Sequence, residues 1–158
     1  HAAILGTRMG IVNEIESDNA PLGEIVEALF AANIDVHTMR DITRGGLATV
    51  LKELAKTSDT TIELEEEKLP VTPQVKDFCG LLGLDPLYMG NEGKLVALVP
   101  AEQAEAAVTA IRGAKYGQDA CIVGYVNDKA PGKLHLRTRI GGLRNLKILQ
   151  GEGLPRIC

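Results

Sequence analysis

Three stretches of this chain combine residue types and spacings that can do chemistry. In RDITRGGLATVLKEL, Asp41 and Thr43 stand where a helix should begin, and Gly45 and Gly46 follow at once. Glycines there leave backbone N–H groups uncovered at the positive end of a helix, which suits a phosphate or another anion. Arg40 and Arg44 can add charge-assisted bonds. The competing reading is that Asp41 or Thr43 caps the helix and the glycines only permit a tight turn. In YMGNEGKL, Asn91 and Glu92 lie between two glycines, so the backbone can approach a ligand and a carboxylate is offered as a general base; the competing reading is a solvated turn. The third stretch is the end, GEGLPRIC, where Gly151 and Gly153 give freedom, Pro155 stiffens the approach, Arg156 can steady an anion and Cys158 offers a thiol. Mobility with a reactive tip is the pattern of a carrier arm.

Other reactive side chains read as structural. Cys79 and Cys121 lie on apolar segments and are expected to be core thiols. His37, beside Asp35 and Thr38, reads as a local hydrogen-bonding residue, and the run Glu63 to Lys68 as the solvated face of a strand.

The elements that must position these groups belong to one ordinary domain. A chain of 158 residues can bury roughly two thirds of its unfolded surface. Its 45% apolar and 24% charged residues are those of a soluble globular protein, without an apolar run of membrane-spanning length. A net charge of −4 and 3% aromatics, with no Trp, argue against nucleic acid and membrane surfaces as partners. Three widely spaced cysteines without CxxC suggest neither a disulfide framework nor zinc, and fit a reducing cytoplasm. The first residue is His1 and the first methionine Met9, as expected of a fragment.

AAILGTRMGI reads as a helix, and DNAPLGEIVEALFAAN as a second one, with Asp18 or Asn19 as cap, Pro21 in the first turn and Leu22, Ile25, Val26, Leu29 and Phe30 facing the core. IDVHTMRDITRGG is extended, and LATVLKELAKTS is a helix with Leu47, Val50, Leu51 and Leu54 on one face. TTIELEEEKLP alternates like a strand with a solvent face and stops at Pro70. TPQVKDFCGLLGL is a short helix capped by Thr72; a Gly-rich turn then leads to a strand from Leu95 to Val99, and Pro100 opens another helix. ACIVGYV and GKLHLRTRI read as a hairpin joined by NDKAPG. The expected class is α/β (α+β), a mixed sheet covered by helices.

RDITRGGLATVLKELA, then MGNEGKLVALVP, then a terminal LPRIC together resemble the C-terminal domain of the hydrogenase maturation family HypE. That family sits in the superfamily of aminoimidazole ribonucleotide synthetase and selenophosphate synthetase. The resemblance spans almost the whole chain; TRGG alone would reach only the superfamily, and the PRIC end is specific to HypE. It implies three layers of helices around a mixed sheet, partly ferredoxin-like, over residues 1–145, and a flexible carrier tail over 146–158. It further implies that HypF transfers a carbamoyl group to Cys158 and that the thiocarboxamide is dehydrated with ATP to a thiocyanate. The cyanide then goes to iron on the HypC–HypD complex. In that scheme Cys158 is the nucleophile, Glu92 the candidate base and Asn91 the orienting group, while Thr43, Arg44, Gly45 and Gly46 hold phosphate. Mg²⁺, most of ATP and the homodimer surface are implied for a preceding domain, so this chain should fold but not turn over ATP alone. The alternative is another ATP-dependent synthetase of the superfamily acting on a small molecule.

Overall fold

A computed structural model describes residues 2–12 and 14–148, apart from the side chains of Ala3 and Ile4. Five α-helices and six strands follow in the order α1 (Ala2–Arg8), α2 (Gly23–Ala31), β1 (Thr38–Ile42), α3 (Gly46–Ser58), β2 (Thr61–Glu65), α4 (Pro73–Leu82), β3 (Asn91–Leu98), α5 (Ala104–Arg112), β4 (Gly124–Asn127), β5 (Lys133–Arg137) and β6 (Leu143–Leu146), with single 3₁₀ turns at 66–68, 86–88 and 101–103. Two sheets form where one was expected: an antiparallel pair β1-β3, and a mixed sheet in the order β4-β2-β5-β6.

Pairing explains why ACIVGYV and GKLHLRTRI are not a hairpin. β2 lies between them, antiparallel to β4 and parallel to β5. Two strand spacings are about 10 Å, and the six steps from Asn127 to Lys133 can span up to roughly 20 Å, so the link passes beneath β2 without strain. There Gly132 N–H donates to the Thr60 carbonyl at 2.8 Å and Ala130 N–H to Thr61 Oγ1 at 2.7 Å. As the inner strand β2 is buried from Thr61 to Leu64, not solvated on one face.

The main core is the seam between α3 and the mixed sheet: Ala48, Leu51 and Ala55 pack on Ile62, Leu64, Leu134, Leu136 and Leu146. Burial of such side chains contributes about 1.5–3 kcal/mol each. Two satellite cores accompany it, one joining α1 to Phe78, Cys79 and Met89, the other joining Leu29 and Ile34 to Ala107. The strand β6, absent from the sequence reading, pairs with β5 and carries Leu146 into the main core at the position expected to start the tail.

One helix start and one cap differ from expectation. α2 begins after Leu22 with no side-chain cap, so Asp18 and Asn19 lie outside it; Ile25 and Leu29 are buried but Phe30 is 60% exposed. α4 begins at Pro73 after Thr72, as its sequence suggests, although the Thr72 side chain makes no cap bond.

Candidate functional site

The sheet pair β1-β3 brings the two internal motifs together. Its register pairs Asp41 with Leu95 but the very next residue, Ile42, with Asn91, so Glu92, Gly93 and Lys94 bulge out of β3. Paired Cα atoms lie about 5 Å apart, which sets Thr43, one residue past Ile42, beside Asn91 and the bulge. Bulges of this kind re-aim side chains. What was expected to be a turn before a strand starting at Leu95 is the first half of β3 itself. Asn91 Oδ1 accepts the Gly93 N–H at 3.2 Å, which leaves the Asn91 side-chain N–H₂ to donate elsewhere. Gly93 could be nothing else, because a Cβ there would overlap the Asp18 carbonyl. Glu92 is half-buried at this bulge.

Thr43, Arg44, Gly45 and Gly46 form the link from β1 into α3. The N-cap is Gly45, at φ +69°, and it supplies no side-chain bond. Neither Asp41 nor Thr43 caps the helix, so the capping reading is overturned and the first N–H groups of α3 are uncovered by any side chain. Gly46, at φ +67°, is where the helix start presses on its neighbours: a Cβ would come within 2.5 Å of the Leu87 carbonyl oxygen and 2.7 Å of that of Met89. Those residues lead straight through Gly90 into Asn91, so the second glycine lets the helix N-terminus and the Asn91–Glu92 bulge share one corner. Arg44 is exposed and makes no ion pair among the described residues. The shallow apolar groove lined by Ile11, Val12, Ile15, Phe78 and Leu81 includes none of these residues.

Cys158 lies outside the described residues. Of the other two thiols, Cys79 is the core thiol expected, whereas Cys121 lies ahead of β4 and outside the core. Cys79 is 1% exposed and donates to Met89 Sδ at 3.1 Å; burial, helped by Asp85, pushes its thiol up. Cys121 is half-buried, donates to the Lys68 carbonyl at 3.4 Å, and is likewise pushed up by burial. Both are held in the unreactive protonated form. His37 Nε2 stands 3.6 Å from Asp35 Oδ2, near it but beyond the hydrogen-bond distance expected of the pair. No group of three or more His, Cys, Asp and Glu among the described residues is placed to hold a metal ion.

One buried polar cluster was missed. Glu63, read as solvated, is 5% exposed; Tyr125 Oη donates to its Oε2 at 2.8 Å, Asn127 Nδ2 to its Oε1 at 3.0 Å, and Arg137 Nη2 to its Oε2 at 3.2 Å. The Tyr125 bond first, then those from Asn127 and Arg137, hold its carboxyl below the usual range despite burial. The donors come from β4 and β5, on either side of β2, so the cluster locks the strand order. Glu63 set between Ile62 and Leu64 among the β-formers of TTIELE, with donors spaced along two later strands, was the only signal of it.

This fold, with a glycine-started helix meeting a bulged strand, is that of the family described as AIR synthase related protein, C-terminal domain; the family model matches residues 8–137, and the chain belongs to it. Among curated proteins it is similar to carbamoyl dehydratase HypE of Rhodobacter capsulatus, 44% identical over 99% of this chain and 47% of that protein. The Escherichia coli K12 carbamoyl dehydratase HypE is 39% identical over 99% of this chain and 46% of its own length. A solved structure of the hydrogenase maturation protein HypE in complex with ATP aligns with a TM-score of 0.91 at 41% identity, covering 98% of this chain and 48% of that one. A HypE–HypF complex aligns at 0.86 with 37% identity, covering 92% and 48%. The chain spans about half the length of the curated relatives it matches.

Proposed function

We propose that this chain is the C-terminal half of a HypE-type carbamoyl dehydratase acting in [NiFe]-hydrogenase maturation. The observation that carries the reading is similarity to proteins of that name over 99% of this chain at 44% identity, reaching its cysteine-ended tail. The relatives and solved structures named above do not favour the synthetase alternative. Residues 1–145 act as the domain and 146–158 as the carrier tail, with the strand β6 anchoring the tail's first residue.

Cys158 attacks as thiolate and takes a carbamoyl group from a HypF-type donor, an assignment favoured by a solved HypE–HypF complex. In the second step the thiocarboxamide oxygen accepts the γ-phosphoryl of ATP, which turns it into a leaving group. That transfer releases ADP and, with one N–H proton passing to solvent, leaves an O-phosphorylated imidate; Glu92 then removes the remaining N–H proton as phosphate departs, the C–O bond breaks and C≡N forms. Asn91 orients the amide through its unengaged N–H₂, and the uncovered N–H groups from Gly46 onward, with Thr43 and Arg44, support phosphate charge. ATP as co-substrate is supported by the HypE structure that contains it. No step here is routed through Mg²⁺, which the preceding half of the protein would hold. The cyanide product goes to an iron-bearing acceptor of HypC–HypD type, in the cytoplasm, and the full-length protein is a homodimer through its other half. Among the described residues no helix is long and apolar enough to cross a membrane.

The test is the intact mass of the full-length protein after incubation with a HypF-type donor, carbamoyl phosphate and ATP. A gain of one carbamoyl group that maps to Cys158 and vanishes in Cys158→Ala is expected; a gain that survives the substitution sinks the proposal.

A further inference from the structure

The three residues that bulge out of β3, Glu92, Gly93 and Lys94, have no partner in β1, because the register steps from the pair Asp41–Leu95 to the pair Ile42–Asn91. The ladder therefore does not fix where the Glu92 carboxylate stands. The bond from Gly93 N–H to Asn91 Oδ1 lies within the bulge itself and does not tie it to the rest of the domain. What lies against the bulge is the segment between α1 and α2, in which residues 14–22 form neither helix nor strand. Gly93 records the contact. Its φ lies outside the left-handed region, so its backbone conformation does not call for glycine. A Cβ there would overlap the Asp18 carbonyl and stand 3.3 Å from the Ala20 amide nitrogen. Main chain thus lies on main chain, with no side chain between them.

Both ends of the crossing segment are held. Ile15 packs against the satellite core that contains Phe78, Cys79 and Met89, and just past Leu22 the helix α2 buries Ile25 and Leu29. Met89, in the same core as Ile15, is followed by Gly90 and Asn91, so one set of apolar side chains holds both the crossing segment and the strand that enters the bulge. Ser17 Oγ accepts the Asn19 N–H at 3.4 Å, in a turn that closes around Asp18. A segment fixed at both ends, in direct contact with the bulge, stops it from moving that way, since packed backbone does not yield as a free loop does. We propose that residues 15–20 are a strap across the bulge, and that Asp18, through its main chain, and Gly93 are positioning residues that set where the Glu92 carboxylate stands. The inference rests on the function proposed above, in which Glu92 takes a proton. A catalytic group has to be held within about 0.5 Å of its productive place, and an unpaired bulge without a backing would not hold it.

The test uses full-length protein carbamoylated on Cys158 and follows the loss of one water by mass after ATP is added, in wild type, Gly93→Ala, Asn19→Gly and Glu92→Gln. Gly93→Ala forces the strap and the bulge apart. Asn19→Gly leaves Gly93 unchanged and adds main-chain freedom to the strap at an exposed residue. Dehydration should slow about tenfold or more in Gly93→Ala, since a misplacement of about 1 Å can cost about a hundredfold, and about two- to fivefold in Asn19→Gly. The KM for ATP and the rate of loading by the HypF-type donor should not change. Both deficits should narrow as pH rises, because hydroxide replaces a base that is out of place. Circular dichroism checks the fold, and Asn19→Gly decides alone where Gly93→Ala does not fold. Wild-type dehydration in the folded strap variants while Glu92→Gln is slow would overturn the strap, and so would loading slowed as much as dehydration. Dehydration by Glu92→Gln at the wild-type rate would instead overturn the role of Glu92 on which the inference rests.

Discussion

Replacing Gly46 by Ala tests whether the corner between the α3 start and the Asn91 bulge is built as described. The φ of +67° is a left-handed conformation, and an L side chain there costs about 1–2 kcal/mol. The added Cβ would also sit 2.5 Å from the Leu87 carbonyl oxygen and 2.7 Å from that of Met89, and these are backbone atoms that can yield only by moving the segment into Asn91. Overpacking of this kind costs about 1–3 kcal/mol, and the smaller unfolded-state entropy of Ala offsets part of it, so the net loss should be about 2–4 kcal/mol. Gly83→Ala is the internal control: its φ is also +67°, but a Cβ there meets nothing within 4 Å, so it should lose about 1 kcal/mol or less. Urea unfolding of both variants, with midpoint and slope compared, measures the difference. Equal losses at the two glycines would refute the close approach at Gly46.

The Glu63 carboxyl is held below its ordinary value near 4.5, so the unfolded chain binds the proton first as pH falls. Its stabilisation is therefore full at neutral pH and is lost as pH drops from about 4.5 through the lowered folded value. Glu63→Gln should cost about 1–3 kcal/mol at pH 7 and flatten the acid limb of the stability curve; an unchanged limb would remove the cluster's role. Thiol alkylation at mildly alkaline pH should modify Cys158 first, Cys121 slowly and Cys79 only on unfolding, read by peptide mass; rapid labelling of Cys79 would contradict its burial. Leu134→Ala, at a fully buried site in the seam, should lose about 2–5 kcal/mol in the same unfolding assay, whereas Leu143→Ala, 54% exposed, should change it by about 0.5 kcal/mol or less. The isolated chain should release no phosphate from ATP in a coupled assay.

Local patterns made much of this legible. The 3- and 4-residue spacing of apolar side chains marked α3, and Pro73 marked the start of α4, because helical periodicity and proline geometry act within a few residues. The two glycine motifs were also visible as places of close backbone approach, where a Cβ at Gly46 or Gly93 would meet a neighbouring carbonyl. What escaped depends on partners distant in sequence. NDKAPG looks like a hairpin link from within, and only β2, some sixty residues earlier in the chain, makes it a bridge under a third strand. Glu63 looks solvated until Tyr125, Asn127 and Arg137 arrive from both sides. The Gly45 N-cap escaped because Thr43 and Asp41 are better caps by residue type; the pairing of Ile42 with Asn91 keeps β1 extended up to the glycines and so sets the helix start beyond them. The register jump that sets Asn91 opposite Ile42 has no signature short enough to read.

The central claim is that one thiol is loaded and then dehydrated at the corner where Glu92 stands. The most direct measurement follows the mass of Cys158 in full-length protein, already carbamoylated, after ATP is added, in wild type and in Glu92→Gln. The account predicts loss of one water from the wild-type adduct and an adduct that persists in Glu92→Gln while loading is unimpaired. Loss of water at the same rate in the variant would contradict it.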